Sequence, residues 1–186
     1  MFTDIVTITQ PTVLVGVSST INPSCYNALD GSITVIVSGG ISPYTNTTYG
    51  GNLPTSIVGD TVIVFSNLPA GNLPLIVTDD NGCQLNVSFP TLLNPLELVI
   101  TATVFDEPIC YADSGDVSIN GIGGICPYSY EFTDANGLVL TSTSSTNSLV
   151  AGNYSFMLID ANGCFDFDNI VLTEPNEILI TPDIIE

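Results

Sequence analysis

The sequence predicts an all-β fold made of tandem Ig-like antiparallel β-sandwich repeats, and three observations support this prediction. One motif occurs twice, as AGNLPLIVTDDNGC from Ala70 to Cys83 and as AGNYSFMLIDANGC from Ala151 to Cys164. Short runs rich in Val, Ile, Leu and Thr alternate with Gly, Asn and Asp turns, and no stretch has sustained helical periodicity. About seven such runs in each repeat are typical of an Ig-like sandwich.

The repeated motif divides the 186 residues into two complete units. We expect the first complete repeat at residues 12–95 and the second at residues 96–175. Residues 1–11 resemble the final strand of a unit and would end a truncated preceding repeat. Residues 176–186 resemble the first strand of a unit and would start a further repeat. The chain is therefore expected to be a slice of a longer array.

The elements follow the same order in both units. In the first unit, a strand at Val13 to Ser19 precedes Cys25, and the strand SITVIVSGG then places Ile33, Val35 and Val37 on one face. Gly-Gly and Pro-Tyr dipeptides follow this strand, and both recur in the second unit. A polar loop, a short strand and the repeated motif complete the unit.

The repeated motif itself reads as a β-hairpin. Asn-Gly between two strand-forming runs predicts a type I′ turn, whose two central residues both need positive φ. Tyr154 stands near the start of the second copy's strand, in the position of a tyrosine-corner residue. The first copy has Leu73 there, so the corner is not essential to the repeat.

The charges exclude several classes of function. There are nineteen Asp and Glu residues and no Lys, Arg or His, which gives a formal net charge of −19. Nothing can neutralise phosphates, and no His or Lys can serve as a general base or nucleophile, so we expect neither a nucleic-acid partner nor an enzyme. Apolar residues reach 45%, so the chain should fold, but no apolar run is long enough to cross a membrane.

Five cysteines suggest covalent cross-links. Position matching relates Cys25 to Cys110 and Cys83 to Cys164, so each unit carries the same two cysteines. We predict the in-unit disulfides Cys25–Cys83 and Cys110–Cys164, which would place the protein outside the cytoplasm. Buried free thiols are the alternative. Cys126 remains as an unpaired thiol, either a small buried residue or a covalent link to a partner.

Acidic side chains near the turns are candidate calcium ligands, because calcium takes six to eight oxygen atoms. The candidates are Asp30, Asp79, Asp80, Asp113, Asp116 and Asp160. Their spacing does not match an EF-hand, and turn chemistry alone is a sufficient explanation of Asx-Gly. Asp166 and Asp168 share a strand face, as glycosidase acids would, although such pairs are expected by coincidence on an all-acidic surface.

Tyrosines at matched positions are candidate sugar-stacking residues. Tyr44 and Tyr128 follow the proline of each unit, and Tyr26 and Tyr111 follow its first cysteine. Stacking of Tyr44 and Tyr128 on sugar rings would make each unit a carbohydrate-binding module. Packing of these rings in the core is the alternative, and we favour it.

The order of these motifs resembles the SprB repeat of giant surface adhesins in gliding Bacteroidetes. The shared features are a cysteine, the strand DGSITVIVSGG (SGDVSINGIGG in the second copy), Pro-Tyr, AGN and the turn DNGC (ANGC in the second copy), and they cover nearly the whole chain. The resemblance implies a cell-surface filament that is exported by the type IX secretion system and moved by the gliding machinery. Asp60-Thr61-Val62 looks like an O-glycosylation site of this lineage, with the glycan on Thr61.

The resemblance also implies a set of partners. These would be neighbouring repeats of the same chain, the secretion and gliding machinery through regions outside this sequence, and an extracellular substratum or polysaccharide. The alternative function is a carbohydrate-binding or calcium-rigidified spacer module of another secreted surface protein.

Overall fold

The computed structural model describes residues 3–4, 6–44, 47–87, 91–134, 136–142 and 146–180. These residues form strands, turns and loops, and the strands pair in antiparallel sheets, so the prediction of an all-β fold is confirmed. Within them, no helix has the length and apolar character that crossing a membrane requires. The chain divides into two compact units, Met1–Pro95 (unit 1) and Leu96–Glu186 (unit 2). Assignment of residues 1–11 and 176–186 to further repeats stays a prediction.

Unit 1 is a two-sheet sandwich whose sheets have the strand orders β1-β2-β5-β4 and β3-β7-β8, with a short β6-β9 pair beside them. Its strands are β1 (Val15–Ile21), β2 (Gly31–Ser38), β3 (Thr48–Tyr49), β4 (Ser56–Val58), β5 (Val62–Leu68), β6 (Gly71–Asn72), β7 (Leu75–Thr78), β8 (Gln84–Val87) and β9 (Thr91–Leu92). The two sheet orders are those of a constant-type Ig domain.

Unit 2 keeps the same arrangement with one strand moved. Its strands are β10 (Val99–Asp106), β11 (Ser114–Ile122), β12 (Ser129–Asp134), β13 (Val139–Ser142), β14 (Thr146–Val150), β15 (Gly152–Ile159) and β16 (Phe165–Leu172). The sheet orders are β10-β11-β14 and β13-β12-β15-β16, so the fourth strand pairs with β12 instead of joining the first sheet. Both units are therefore Ig-like sandwiches.

Each unit has its own hydrophobic core between its two sheets. Ile33, Val35 and Val37 of β2 are buried on one face, as the alternating pattern predicts. In unit 1 they pack with Tyr44, Tyr49, Ile63, Phe65, Leu75, Val77, Val87 and Leu92. The core of unit 2 consists of Leu98, Ile100, Val117, Ile119, Tyr130, Phe132, Tyr154, Phe156, Leu158 and Leu172.

A glycine at the end of the second strand lets the first segment of each unit approach closely. Gly39 and Gly123 have φ of 74° and 76°, in the left-handed region that side chains disfavour. A Cβ on Gly39 would overlap the carbonyl oxygen of Val13, and one on Gly123 would overlap that of Glu97. The first glycine of the repeated Gly-Gly is therefore required by backbone contact.

The predicted tyrosine corner is present in unit 2. The Tyr154 hydroxyl donates to the Val150 carbonyl at 2.9 Å, and its ring is buried in the core. Unit 1 has Leu73 in the matched position, and there the Leu73 N–H donates to the hydroxyl of Tyr49 at 3.4 Å. A tyrosine from a different strand thus reaches the corner of unit 1.

Candidate functional site

A buried aspartate organises the repeated turn of unit 1. Asp79 is only 2% exposed and follows β7. Its Oδ1 accepts the N–H of Cys83 at 2.7 Å, and its Oδ2 accepts the N–H of Ile41 at 3.1 Å. The carboxylate therefore closes its own turn and ties that turn to the loop after β2.

Asp160 makes the same bonds in unit 2. It is 6% exposed, and its Oδ1 accepts the N–H groups of Asn162 and Cys164, both at 2.9 Å. Its Oδ2 accepts the N–H of Ile125 at 2.8 Å. The matched geometry shows that this aspartate is a structural element of the repeat.

The turn differs from the predicted type I′. Gly82 has a φ of 82°, whereas Asn81 is outside the positive-φ region, and the Gly82 N–H donates to the Asp79 carbonyl at 3.0 Å. This is a type I turn followed by a glycine in the left-handed region, for which Asp in the first position and Gly in the fourth are favoured. The type I′ prediction was wrong because it left out the aspartate that begins the turn.

Two opposing effects act on the pKa of Asp79. Burial acts to raise the pKa, because the charged form loses its hydration. The N–H groups of Cys83 and Ile41 stabilise the carboxylate and outweigh burial, so the pKa lies below its ordinary value of 3.8. The ionised form is therefore the one that the turn requires.

The predicted calcium ligands are not brought together. Asp30 precedes β2 and accepts the N–H and the hydroxyl of Ser24, which lower the pKa of Asp30, whereas Asp79 is bonded to Ile41 beyond the other end of β2. A strand of this length separates them by roughly 25 Å. In unit 2, β11 likewise lies between Asp113 and Asp160.

The other two candidates add no ligand cluster. Asp80 is exposed on its turn, and Asp116 lies within β11. Among the residues that the structure describes, no group of three or more His, Cys, Asp or Glu side chains could hold a metal ion. The predicted calcium set is therefore wrong as a single site, and the hydrogen bonds of Asp79 and Asp160 support the turn interpretation.

The sugar-stacking prediction for Tyr44 and Tyr128 is also wrong. Tyr44 is 4% exposed, and its hydroxyl donates to the Gly39 carbonyl. Tyr128 packs against the core of unit 2, and its hydroxyl donates to the Gly123 carbonyl. These tyrosines hold the Gly-Gly bend of each unit, in agreement with the alternative of core packing.

Two other matched tyrosines do expose their rings. Tyr26 is 44% exposed and Tyr111 is 52% exposed. Both lie in the connection between the first two strands of their unit, next to a cysteine. They are the repeated aromatic side chains that remain available to an external ligand.

The two predicted in-unit disulfides are not formed. Cys83 and Cys110, one cysteine of each predicted pair, are free thiols. Cys25 lies next to Ser24, before β2, and Cys83 lies beside Asp79, which bonds a residue beyond the other end of β2. The strand holds the two cysteines roughly 25 Å apart, whereas a disulfide needs Cα atoms within about 7 Å. Position matching could not reveal that separation.

Cys126 is a free thiol, as predicted, but it is exposed and not buried. Its side chain lies within hydrogen-bonding reach of the Tyr128 hydroxyl. That interaction, followed by burial, raises the pKa of Tyr128 above its ordinary value of 10.0. Unit 1 has Ser42 at this position, so the thiol is not a feature of both repeats.

The paired carboxylates of β16 have structural partners. Asp166 Oδ2 accepts the N–H of Ile100, and Asp168 Oδ2 accepts the N–H of Ala102, both at 2.9 Å. These N–H groups belong to β10, the first strand of the opposite sheet. The pair therefore joins the two sheets of unit 2 at their edges.

An open groove lies on the outer face of the second sheet of unit 2. It has a volume of about 490 Å³ and is lined partly by Glu131, Met157 and Phe167. The position of Phe167 is occupied by Asn86 in unit 1, so the groove is not repeated.

Thr61, the predicted glycosylation residue, is exposed between β4 and β5.

Comparison with known protein families found a match to one segment of unit 1. A family model described as the SprB repeat matches residues 17–52. This segment contains Cys25, β2, the Gly-Gly bend and the Pro-Tyr pair. Residues 17–52 are therefore similar to the SprB repeat, and the resemblance seen in the sequence is confirmed over this segment. A search of curated proteins found no match.

Several solved structures are similar to the chain. The amphioxus IgVJ-C2 molecule is 12% identical, with 84% of this chain and 96% of that chain covered and a TM-score of 0.36. Fibronectin(III)-like modules of Clostridium thermocellum CbhA are 9% identical, with 89% and 100% covered and a TM-score of 0.35. The DIP-gamma IG1+IG2 structure is 9% identical, with 86% and 98% covered and a TM-score of 0.41. At these scores, no function is transferred from them.

Proposed function

We propose that this chain is a structural and adhesive repeat segment of a very long cell-surface filament. The filament would resemble a gliding motility adhesin that is exported by type IX secretion. The SprB repeat at residues 17–52 supports this proposal, as does the second copy of its motifs in unit 2. The partners would be neighbouring repeats, the secretion and gliding machinery, and an extracellular substratum or polysaccharide.

One observation carries the proposal. Three residues that recur in both units make internal contacts: the buried aspartate bonds its turn, the first glycine of Gly-Gly allows a close backbone contact, and the Pro-Tyr tyrosine bonds the Gly-Gly bend. Within the described residues, no buried side-chain nitrogen or oxygen atom lacks a hydrogen-bond partner, and no group of three or more His, Cys, Asp or Glu could hold a metal ion. The two units therefore share a fold, and repetition of a fold is a way to build length and spacing into a filament.

We also infer that the chain is not an enzyme. The carboxylate pair Asp166 and Asp168, which shares a strand face as glycosidase acids would, is engaged by the N–H groups of β10. A general acid or base must be free to reach a substrate proton. The sequence also lacks His and Lys, which serve most often in that role or as nucleophiles.

Surface labelling tests the proposed location. Antibodies raised against this chain should label intact, unpermeabilised cells of the organism that makes it. In cells whose type IX secretion is inactivated, the label should disappear from the surface and be found only after permeabilisation. Label that needs permeabilisation in normal cells would contradict the proposal.

A second experiment separates an adhesive unit from a passive spacer. The exposed rings of Tyr26 and Tyr111 favour carbohydrate binding as the second function. If the units bind sugar, a glycan array should show specific binding that Tyr26→Ala with Tyr111→Ala removes and that Tyr44→Phe leaves unchanged. Absence of binding by the unaltered chain would leave the spacer role.

Peptide mass spectrometry of protein from its native source should find a glycan at Thr61 that Thr61→Ala removes.

A further inference from the structure

The second sheet of unit 2 exposes two aromatic rings on its outer face. Phe165 and Phe167 occupy alternate positions of β16 and are 65% and 67% exposed. Unit 1 has Gln84 and Asn86 at these positions and forms the matching strand without aromatic side chains. The fold of the repeat therefore does not require the rings, and large exposed apolar side chains that the fold does not need are typical of binding surfaces.

Phe167 begins a row of side chains that crosses the sheet and lines the groove of about 490 Å³. It lies directly opposite Met157 of β15, which in turn lies opposite Glu131 of β12. Neighbouring strands are about 4.8 Å apart, so this row is roughly 10 Å long. An aromatic ring, a thioether and a carboxylate thus follow one another across the groove.

The adjacent row is mainly polar. Asn169 of β16 pairs with Ser155, Ser155 with Thr133, and Thr133 with Val139 of β13. The Ser155 hydroxyl donates to Asn169 Oδ1 at 2.6 Å, and among the described residues none accepts from the NH₂ group of that amide. A second open groove of about 300 Å³ shares the three polar residues of this row. The face therefore continues beyond the first groove as a surface of hydrogen-bonding groups.

The charges of this face select the kind of ligand. Glu131 and Asp134 are acidic, and the chain has no Lys, Arg or His to balance a phosphate, sulfate or uronic acid. Both oxygens of Asp134 already accept N–H groups of its own turn. The remaining polar groups are neutral amides and hydroxyls. An uncharged ligand with many hydroxyl groups fits them better than an anion or a strongly basic chain does.

We propose that this face of unit 2 binds a neutral polysaccharide. A sugar ring has an apolar C–H face that packs on an aromatic ring such as Phe167, and its edge carries hydroxyls that both donate and accept. The amide of Asn169 donates to these hydroxyls, the carboxylate of Glu131 accepts from them, and Thr133 does either. Such a site rests on the adhesive part of the proposed function, but it needs no particular location of the protein.

The site is separate from the exposed tyrosines. Tyr26 and Tyr111 lie in loops between the first two strands of their units, whereas the groove lies on β12, β13, β15 and β16. An open groove that occurs in one unit makes a weak single contact, which is measured in solution at high sugar concentration and not by retention on an array. The repeated tyrosines and the groove can therefore be tested independently.

Met157 is a natural reporter of the groove. The sequence has two methionines, and the other, Met1, belongs to unit 1. The purified full chain, isotopically labelled on its methionine methyl groups, gives two NMR resonances that Met157→Leu assigns. Neutral oligosaccharides of glucose, galactose and mannose are the probes, with an oligogalacturonate as the acidic counterpart. At least one neutral sugar should shift the Met157 resonance saturably and leave that of Met1 in place, and the acidic one should not.

Variants then locate the contact. Phe167→Asn introduces the residue of unit 1 and should weaken binding by about tenfold, because the ring that packs on the sugar is lost. Asn169→Ala should weaken it as well. Phe105→Ala is the matched control, because Phe105 of β10 is 75% exposed but belongs to the other sheet of the same unit. It should bind as the unaltered chain does, and circular dichroism checks that all variants are folded.

Several results would overturn the proposal. They are a Met157 resonance that no neutral sugar moves, equal weakening by Phe105→Ala and Phe167→Asn, and a shift caused by oligolysine instead of by sugars, which would indicate a basic peptide partner. The chain with Tyr26→Ala and Tyr111→Ala should keep the Met157 response, and its loss there would assign sugar binding to the tyrosines. Surface labelling of cells does not affect any of these measurements, so the location and the site succeed or fail separately.

Discussion

At the scale of single residues, the fold depends on one carboxylate per unit. Asp160 accepts three backbone N–H groups, from Ile125, Asn162 and Cys164, and is nearly inaccessible to water. In unit 1 the buried aspartate is Asp79, and the next residue, Asp80, is exposed. Ala161 stands at the position of Asp80 in unit 2. Two adjacent acidic positions therefore have very different importance.

Replacement of Asp160 should destabilise the protein strongly. Asp160→Ala leaves buried N–H groups without an acceptor, so the free energy of unfolding should fall by about 3 kcal/mol. Asp80→Ala is the matched control and should change it by less than about 0.5 kcal/mol. Urea titrations followed by circular dichroism measure both, and equal effects of the two variants would contradict this role of Asp160.

Acid should destabilise the protein through Asp79. The folded pKa of Asp79 lies below its unfolded value of 3.8, so its contribution to stability is present above about pH 4 and is lost as pH falls through the folded pKa. Urea midpoints measured from neutral pH downwards should decline in this range. Asp79→Asn should flatten the decline, Asp80→Asn should not, and an unchanged slope in Asp79→Asn would count against this assignment.

At the scale of elements, the Gly-Gly bend connects the second strand to the first segment of each unit. Gly123→Ala places a methyl group against the Glu97 carbonyl and adds a left-handed strain of about 1–2 kcal/mol. Gly163→Ala has a similar φ of 83° but open space around it, so it should show the strain alone. The melting temperature of Gly123→Ala should be well below that of Gly163→Ala, and similar melting temperatures would disprove the backbone contact.

The strands could be predicted from the sequence because their alternation is strict, as in Ile33, Val35 and Val37 of β2. Tyr154 could also be predicted, since a corner tyrosine has a fixed position before its strand. The separation of Cys25 from Cys83 could not be predicted. A repeat shows which positions correspond, but it does not show that an eight-residue strand holds Cys25 and Cys83 at opposite ends.

The role of Asp79 was hidden for a related reason. An Asx-Gly turn is recognisable from its own residues, and calcium binding was a reasonable alternative for its carboxylate. The hydrogen bond between Ile41 and Asp79 joins segments 38 residues apart, and no local sequence pattern predicts it. Long-range side-chain to backbone bonds of this kind depend on the assembled sandwich.

At the scale of the whole molecule, every ionised side chain is negative. Repulsion among them opposes compactness and is screened by salt, because the Debye length shrinks from about 30 Å at 0.01 M to about 8 Å at 0.15 M. The melting temperature should therefore rise between these ionic strengths. Sodium chloride and tetramethylammonium chloride should raise it equally, and a rise confined to calcium chloride would indicate a metal site instead.

The aspartates of β16 determine how unit 2 would respond to tension. The chain enters this unit through β10 and leaves through β16, so a force on its two ends would draw these strands past each other. Asp166 and Asp168 bridge the strands through the N–H groups of Ile100 and Ala102, and both bridges would have to break before the sheets separate.

In unit 1, Leu85 and Val87 stand at the positions of these two aspartates. Its first and last long strands meet where Gly16 of β1 lies against the apolar side chains of Leu85 and Val87 in β8. Apolar contacts slide more easily than charged hydrogen bonds break. Two repeats of one fold would therefore yield at different forces, with unit 1 lengthening first and absorbing a sudden load while unit 2 stays folded.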